Sequence, residues 1–243
     1  MQVRLIRHGI VDSTSECAFR ALDAGQARHG DVHVAAGQTA GRGRRGAHWI
    51  SPAGMGVYAS VVLLPGPPPP HPAVLTMASS LAVRDALDGL GLHGTRLKWP
   101  NDLELDSAKL AGVLIETRGF DARRPHFVIG LGVNVRQRSF PPELIAERAV
   151  TSLALCGIDT EPAQVLEHVL AELGPKLSLG FGEAEQLAAE FLAATGLAGE
   201  EVRVSSGSGS IAGRLIGLSL RHGVELDSGR TVPLEHVRGI VRS

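Results

Sequence analysis

Residues Gly41-Arg42-Gly43-Arg44-Arg45-Gly46 constrain this chain more than any other stretch. Three glycines in six positions weaken a helix or a strand, so the run reads as a loop. Three arginines among them repel one another in the free chain. Each also carries a planar donor fork suited to phosphate or carboxylate. The run predicts an anion clamp that is disordered alone and ordered around a ligand. It also fits G-x-G-x-x-G, but Ala47-His48-Trp49-Ile50-Ser51-Pro52 is a poor helix start. A dinucleotide fold needs a helix there, so that reading is rejected. No G-x-x-x-x-G-K-[ST] sequence occurs, which excludes a P-loop.

The rest of the chain supplies a scaffold for such a loop. Val3–Ile6, Ile10–Val11, Asp31–Ala36, Gly56–Leu64, Arg96–Trp99, Lys109–Thr117 and His126–Val135 read as strands. A helix should begin near Asp12 and end about Ala24, with Ser13 and Glu16 as a capping box. Pro72 to Leu90 is a second helix by apolar spacing, and Pro162–Leu179 and Glu183–Thr195 are two more. Pro65–Pro70 reads as a stiff connector. Beyond Gly196–Gly199 the composition changes to short β pieces, with Ser205–Ser210 as a hairpin or strand connection. The expectation is an α+β fold: a mixed β-sheet packed on helices over residues 1–197, and a small β-barrel over 198–243.

Composition narrows the function. The 243 residues carry a net charge of −1, so positive charge is local to the loop. Cys17 and Cys156 form no C-x-x-C pair, and the ten histidines are scattered, which argues against a disulfide framework or a zinc site. With no long apolar run and no secretory signal, a cytoplasmic, membrane-free protein is expected.

Two further stretches carry polar groups into apolar surroundings. Lys98-Trp99-Pro100-Asn101-Asp102 precedes Lys109-Leu110-Ala111-Gly112, and a hairpin would bring Asp102 and Lys109 together. Taken singly, Asn101 and Asp102 are turn formers, Lys109 a surface cation and Trp99 a core residue. In Gly130-Leu131-Gly132-Val133-Asn134, two glycines and an amide interrupt a strand, which marks close approach by a ligand or another backbone.

Taken together, Ser13-Thr14, Gln38 through Trp49 with Ser51-Pro52, Lys98–Asp102, Lys109–Gly112 and Gly130–Asn134 resemble the biotin protein ligases in order and spacing, over essentially the whole chain. The resemblance implies a catalytic domain like that of class II synthetases and a C-terminal barrel of SH3-like type. It implies that biotin and MgATP give biotinyl-5′-AMP, and that a lysine of a biotin carboxyl carrier protein then takes the biotinyl group. It places Ser13, Thr14, Gln38, Gly41, Arg42, Lys109 and Gly112 at biotin. It places Arg44, Arg45, Trp49, Asn101, Lys109, Gly132 and Asn134 at ATP or the adenylate. By the same resemblance Arg42 should lie across the ligand, and Trp49 should pack at the adenine side or brace the loop. Lys109 should bridge carboxylate and α-phosphate, Arg44 and Arg45 should hold phosphates, and Asn101 and Asn134 should touch the phosphate or its metal. Gly112 and Gly132 should leave room, and Asp102 is expected to orient the acceptor lysine or accept its proton. No protein group is assigned to bind Mg2+ directly.

Two departures from the family pattern stand out. Ser15 occupies a place where asparagine commonly follows Ser-Thr. Only twelve residues precede Ser13, fewer than the DNA-binding domain of some members needs, so no DNA partner is expected. A lipoate-type ligase and a biotin-binding protein without chemistry are the alternatives. An RNA-binding module is a further one, disfavoured by scarce aromatics. Whether the chain is a monomer or a homodimer stays open.

Overall fold

The computed structural model describes residues 1–207 and 209–243. Its chain order is β1 (Arg4–Val11), α1 (Thr14–Asp23), β2 (Asp31–Gln38), β3 (Gly56–Leu63), α2 (Pro72–Gly89), β4 (Arg96–Lys98), β5 (Asp102–Leu105), β6 (Ala108–Glu116) and β7 (Phe127–Asn134), then α3 (Pro142–Glu147), α4 (Pro162–Gly182) and α5 (Ala184–Thr195). Strands β8 (Glu201–Ser206), β9 (Gly209–Ser219), β10 (Gly223–Leu226), β11 (Thr231–Val232) and β12 (Val237–Arg242) follow.

Strands β1 to β7 form one sheet in the order β1-β2-β3-β7-β6-β5-β4. The β1–β2 pair is parallel and the others are antiparallel, so the sheet is mixed as expected. Strand period two splits its residues between two faces. On one face Val62 and Val128 meet Ala18 and Phe19 of α1. Further along that face β7 carries Gly130, Gly132 and Asn134, residues too small or too polar to bury a helix. The opposite face bears Val57, Ala59, Val61, Ile129 and Leu131, which join α2, α4 and α5 in the large core. The first face therefore keeps an open trough beside α1.

Lys176 of α4 binds Asp85 of α2 at 3.0 Å and Glu190 of α5 at 2.8 Å, which ties the three covering helices together. Helix α5 ends on Gly196 at φ 65, a left-handed cap that glycine adopts without cost. Strands β11-β10-β9-β8-β12 then form an antiparallel five-stranded sheet, consistent with the SH3-like expectation. Trp99 connects the two sheets. Its indole donates to the Val237 carbonyl at 3.3 Å and packs edge-on against Phe191.

Several local expectations are corrected. The pieces Val3–Ile6 and Ile10–Val11 are one strand, because parallel pairing with β2 runs past Gly9. Among the short β pieces expected beyond Gly199, residues Gly209–Ser219 form one long strand, β9. The capping box fails: Ser13 makes no side-chain cap bond, and Glu16 instead binds Arg42 and Arg118. Strands β5 and β11 and helix α3 are additional; four, two and six residues respectively are too short for periodicity to reveal. The expected connection Ser205–Ser210 is a hairpin where described, with Ser206 opposite Gly209; its Ser208 lies outside the described residues.

The β1–β2 edge carries a pH-sensitive pair. His33 is 3 % exposed, stacks on His8 with ring centres 5.3 Å apart, and has a buried Nε2 without a partner. Burial, and then the neighbouring His8, push the His33 pKa down to about 4. The unfolded chain protonates this ring near the ordinary value of about 6.5, the folded chain only near 4. Its contribution to stability is thus complete above about pH 6.5 and is lost as pH falls toward 4. The melting temperature should drop by several degrees between about pH 7 and pH 5, and His33→Leu should flatten that slope. Parallel slopes in the two proteins would refute the assignment.

Candidate active site

A cavity of about 330 Å³ opens on the trough, between α1, the Arg/Gly loop, the β4–β6 hairpins and the segment after β7. One end is lined with hydroxyls. Thr14 Oγ1 lies 2.8 Å from Ser60 Oγ, and Ser15 Oγ lies 3.1 Å from the same atom. Ser15, the departure from the family pattern, thereby completes a buried hydroxyl cluster. Gln38 Oε1 accepts from the Thr14 amide at 2.8 Å, while its Nε2 donates to Ser51 Oγ at 2.8 Å. Gln38 therefore anchors the start of α1, where Ser13, Thr14 and Ser15 line the cavity.

The middle of the trough is cationic. Lys109 Nζ sits 2.7 Å from Asp102 Oδ2, as the hairpin spacing predicted, and both side chains are mostly buried. The Lys109 backbone is held from both sides: its N–H donates to Ala149, and its carbonyl accepts from Thr151. Burial pushes the Lys109 pKa down, and the Asp102 carboxylate partly restores it. Asn101 donates to the Val113 carbonyl at 2.6 Å, which leaves its Oδ1 facing Arg44 Nη1 at 3.4 Å. Arg44 is itself destabilised as a cation, first by burial and then by Arg45. The centre is an electropositive spot with too little counter-charge, which suits an incoming anion.

The Arg/Gly loop folds over this centre as a flap. The Gly43 amide donates to the Ala47 carbonyl at 2.7 Å, and the Trp49 amide to the Gly41 carbonyl at 3.0 Å. Arg45 sits at φ 55. Gly41 is required, since a Cβ there would lie 2.4 Å from the Trp49 carbonyl. Arg42 turns aside and is gripped by Glu16 at 2.7 Å and Glu116 at 3.1 Å. These two carboxylates fasten the flap to α1 and β6. The flap lays the Trp49 indole on Gly132, whose added Cβ would meet the ring at 2.6 Å, and beside Gly112 at 3.3 Å. Lys109 Nζ lies 5.3 Å from that ring. The space that both glycines leave is thus occupied by tryptophan.

The far end is different again. Asn134 and Gln137 are 6 % and 5 % exposed there, beside Phe140, Pro141 and Leu144. The sequence reading had missed Ser60, Ser15 as a cavity residue, Gln137 and the two glutamates. A serine inside the apolar run Gly56–Leu63 was the available signal for Ser60.

Residues 9–134 match the biotin/lipoate A/B protein ligase family, which is more than half of the chain. The chain belongs to that family. It is 32% identical over 170 residues to the bifunctional ligase/repressor BirA of Escherichia coli, covering 70% of this chain and 52% of that protein. It is 34% identical over 179 residues to the biotin–[acetyl-CoA-carboxylase] ligase of Mycobacterium tuberculosis, covering 72% and 64%. It spans about half the length of the first of these relatives. The biotin protein ligase of Aquifex aeolicus, solved with biotin and ATP, superposes with a TM-score of 0.81 at 30% identity, over 98% of this chain and 99% of that one.

Family membership agrees with the way the fold gathers residues distant in sequence. Thr14, Gln38, Arg44, Trp49, Asn101, Asp102, Lys109, Gly112, Gly132 and Asn134 all line the one cavity, as do Ser13, Arg42 and Arg45. Gly41 stands behind them as a packing requirement of the flap. Among the described residues no group of three His, Cys, Asp or Glu side chains is placed to hold a metal ion. No described helix is long and apolar enough to cross a membrane.

Proposed function

We propose that this chain activates biotin with ATP and transfers the biotinyl group to a lysine of a biotin carboxyl carrier protein. The observation that carries the reading is the order of surfaces along one trough. Hydroxyls and amides at Thr14, Ser60 and Gln38 suit a ureido ring, which both donates and accepts. The cations Lys109 and Arg44 suit a carboxylate meeting a phosphate. Phe140 and Leu144, with the buried amides, suit a base. Those hydroxyls favour a ureido ring over the apolar dithiolane of lipoate.

In the first step a carboxylate oxygen of biotin attacks the α-phosphorus. The bond to the bridging oxygen breaks, and pyrophosphate departs with its electron pair. Lys109 neutralises the two anions as they meet, and Arg44 and Arg45 receive charge on the phosphates. Magnesium fits this donor set as an ion carried by the phosphates, since a small hard cation is commonly held by phosphate, water and few protein oxygens. When bound it supplies charge neutralisation. In the second step the acceptor amine attacks the acyl carbon, and AMP leaves with the bonding pair. Once Lys109 turns to the phosphate, Asp102 is released to orient that amine or take its proton. Residues 1–197 would hold both substrates and 198–243 a smaller flanking unit.

Incubation with biotin, MgATP and a biotin-accepting carrier domain should raise the carrier's mass by one biotinyl group, and only with ATP. No mass shift and no ATP–pyrophosphate exchange would reject the ligase reading and leave a binding protein. A second test addresses the flap, which we propose to close fully only over ligand. Arg44→Gly should release biotinyl-AMP into solution at least about tenfold faster, as measured by quenched-flow analysis of the free intermediate. Retention equal to wild type would refute the clamp.

A further inference from the structure

The flap is tied down unevenly. At its root the Thr39 and Ala40 amides donate to the Val11 and Asp12 carbonyls at 2.8 Å each. Arg42 and His48 then form an antiparallel bridge between its two arms. At its tip the tie is weak: Arg44 Nη1 lies 3.4 Å from the neutral Asn101 Oδ1, long for a hydrogen bond. Between root and tip, the Arg42 guanidinium spans two elements of the body. Its Nη1 meets Glu16 Oε1 of α1 at 2.7 Å, and its Nη2 meets Glu116 Oε1 and Oε2 of β6 at 3.1 and 3.2 Å. The three side chains are 30%, 26% and 22% exposed, so solvent screens this grip less than it would a surface pair.

A fourth side chain fixes the receptor. Arg118, just after β6, donates to both oxygens of Glu16, and its guanidinium lies 4.1 Å from the centre of the Phe19 ring on α1. Glu16 is thereby held where Arg42 arrives. The cluster sets two arginines against two carboxylates, so the charge of Arg42 is matched within the protein. Arg42 is committed to the body of the fold, and Arg44 and Arg45 remain for phosphates. Neither glutamate lines the cavity, and nor does Arg118. Their effect on substrate must therefore pass through the flap. A flap anchored near its root has fewer arrangements open to its tip, so less order has to be imposed when substrate arrives.

We propose that Glu16, Glu116 and Arg118 are positioning residues for adenylation: they form a latch that holds Arg42 and so aims the tip of the flap at the cationic centre. The inference rests on the ligase reading above. It gives Arg42 a different task from lying across the ligand. It also divides the flap into a root held by the protein and a tip left for the substrate. Loss of the latch lowers the fraction of molecules whose flap is correctly aimed. A smaller competent fraction weakens apparent substrate affinity, and saturating substrate restores it. The signature is a raised KM with kcat kept.

The test uses the double variant Glu16→Gln/Glu116→Gln, which keeps the shapes and removes the charges. Brief trypsin digestion of the ligand-free protein, read by mass spectrometry, reports the latch directly, because trypsin must take the Arg42 side chain into its own pocket to cut after it. The initial rate of cleavage after Arg42 should rise at least about tenfold. In biotin-dependent pyrophosphate exchange the KM for biotin should rise about fivefold or more, with kcat within about twofold of wild type. The same two substitutions placed in Arg42→Met should add less than about twofold to its KM, since the latch then has nothing to hold. Should the double variant not fold, Glu116→Gln alone, which leaves Arg42 one partner, should show the same split at a smaller size. Cleavage after Arg42 at the wild-type rate overturns the proposal, as does a fall in kcat with KM unchanged, which would put the glutamates in the chemistry. So does a full further loss in the Arg42→Met background, because the glutamates would then act by another route. If wild type shows no exchange at all, the ligase reading fails separately, and the trypsin measurement still decides the latch.

Discussion

Replacing Lys109 with alanine should lower the rate of biotin adenylation by about a thousandfold or more while the protein stays folded. The loss is large because two effects add. The substitution deletes the cation on which a carboxylate and a phosphate converge. It also leaves Asp102, now without its 2.7 Å partner, as a bare carboxylate facing two incoming anions. The double variant Lys109→Ala/Asp102→Asn should therefore recover part of the rate, a sign of coupling that independent roles would not give. A pH profile provides a separate check. The protonated lysine is the active form, and burial holds its pKa below the ordinary lysine value. Activity should fall as pH rises through a midpoint below about 10.4. In Asp102→Asn that midpoint should move lower still, since Asp102 raises the Lys109 pKa. Pyrophosphate exchange near the wild-type level in Lys109→Ala, with circular dichroism unchanged, would remove Lys109 from the chemistry.

The Lys109–Asp102 pair was legible because its parts lie seven residues apart in one hairpin, where local spacing fixes the approach. The main strands and long helices were legible for the same reason, since their period is written in neighbouring residues. The grip on Arg42 was not. Glu116 lies 74 residues away, and nothing near Arg42 says that β6 will bring a carboxylate to it. Glu16 shows the converse failure. Its spacing from Ser13 satisfied a local rule, yet the charges of Arg42 and Arg118 claimed the side chain. Gln137 was hidden by context: a glutamine after a strand is ordinarily solvated, and only the folded chain shows this one buried with an oxygen left over.

The glycines of the trough floor carry the same lesson and lead to the other large effect. Room at Gly112 and Gly132 was readable, but what fills it was not, because the flap folds back from another strand to place Trp49 there. An alanine at Gly132 would set a methyl group 2.6 Å from Cε2 of the indole and 2.9 Å from both Cζ2 and Nε1. A rigid bicyclic ring cannot bend around a methyl group, so Trp49 must lift from the floor. Its backbone is bound to Gly41, hence the flap lifts with it. The ring then intrudes on the cavity, and Arg44 and Arg45 move away from the centre they were to close. Gly132→Ala should therefore cut adenylation by about a hundredfold and raise the KM of biotin and of ATP together. The melting temperature should stay within a few degrees of wild type, because the displaced ring has a 330 Å³ cavity to enter. Trp49→Ala in the Gly132→Ala background removes the clash and should cost little further. Kinetics indistinguishable from wild type in Gly132→Ala would mean that the indole does not rest on the floor of the trough in the working enzyme.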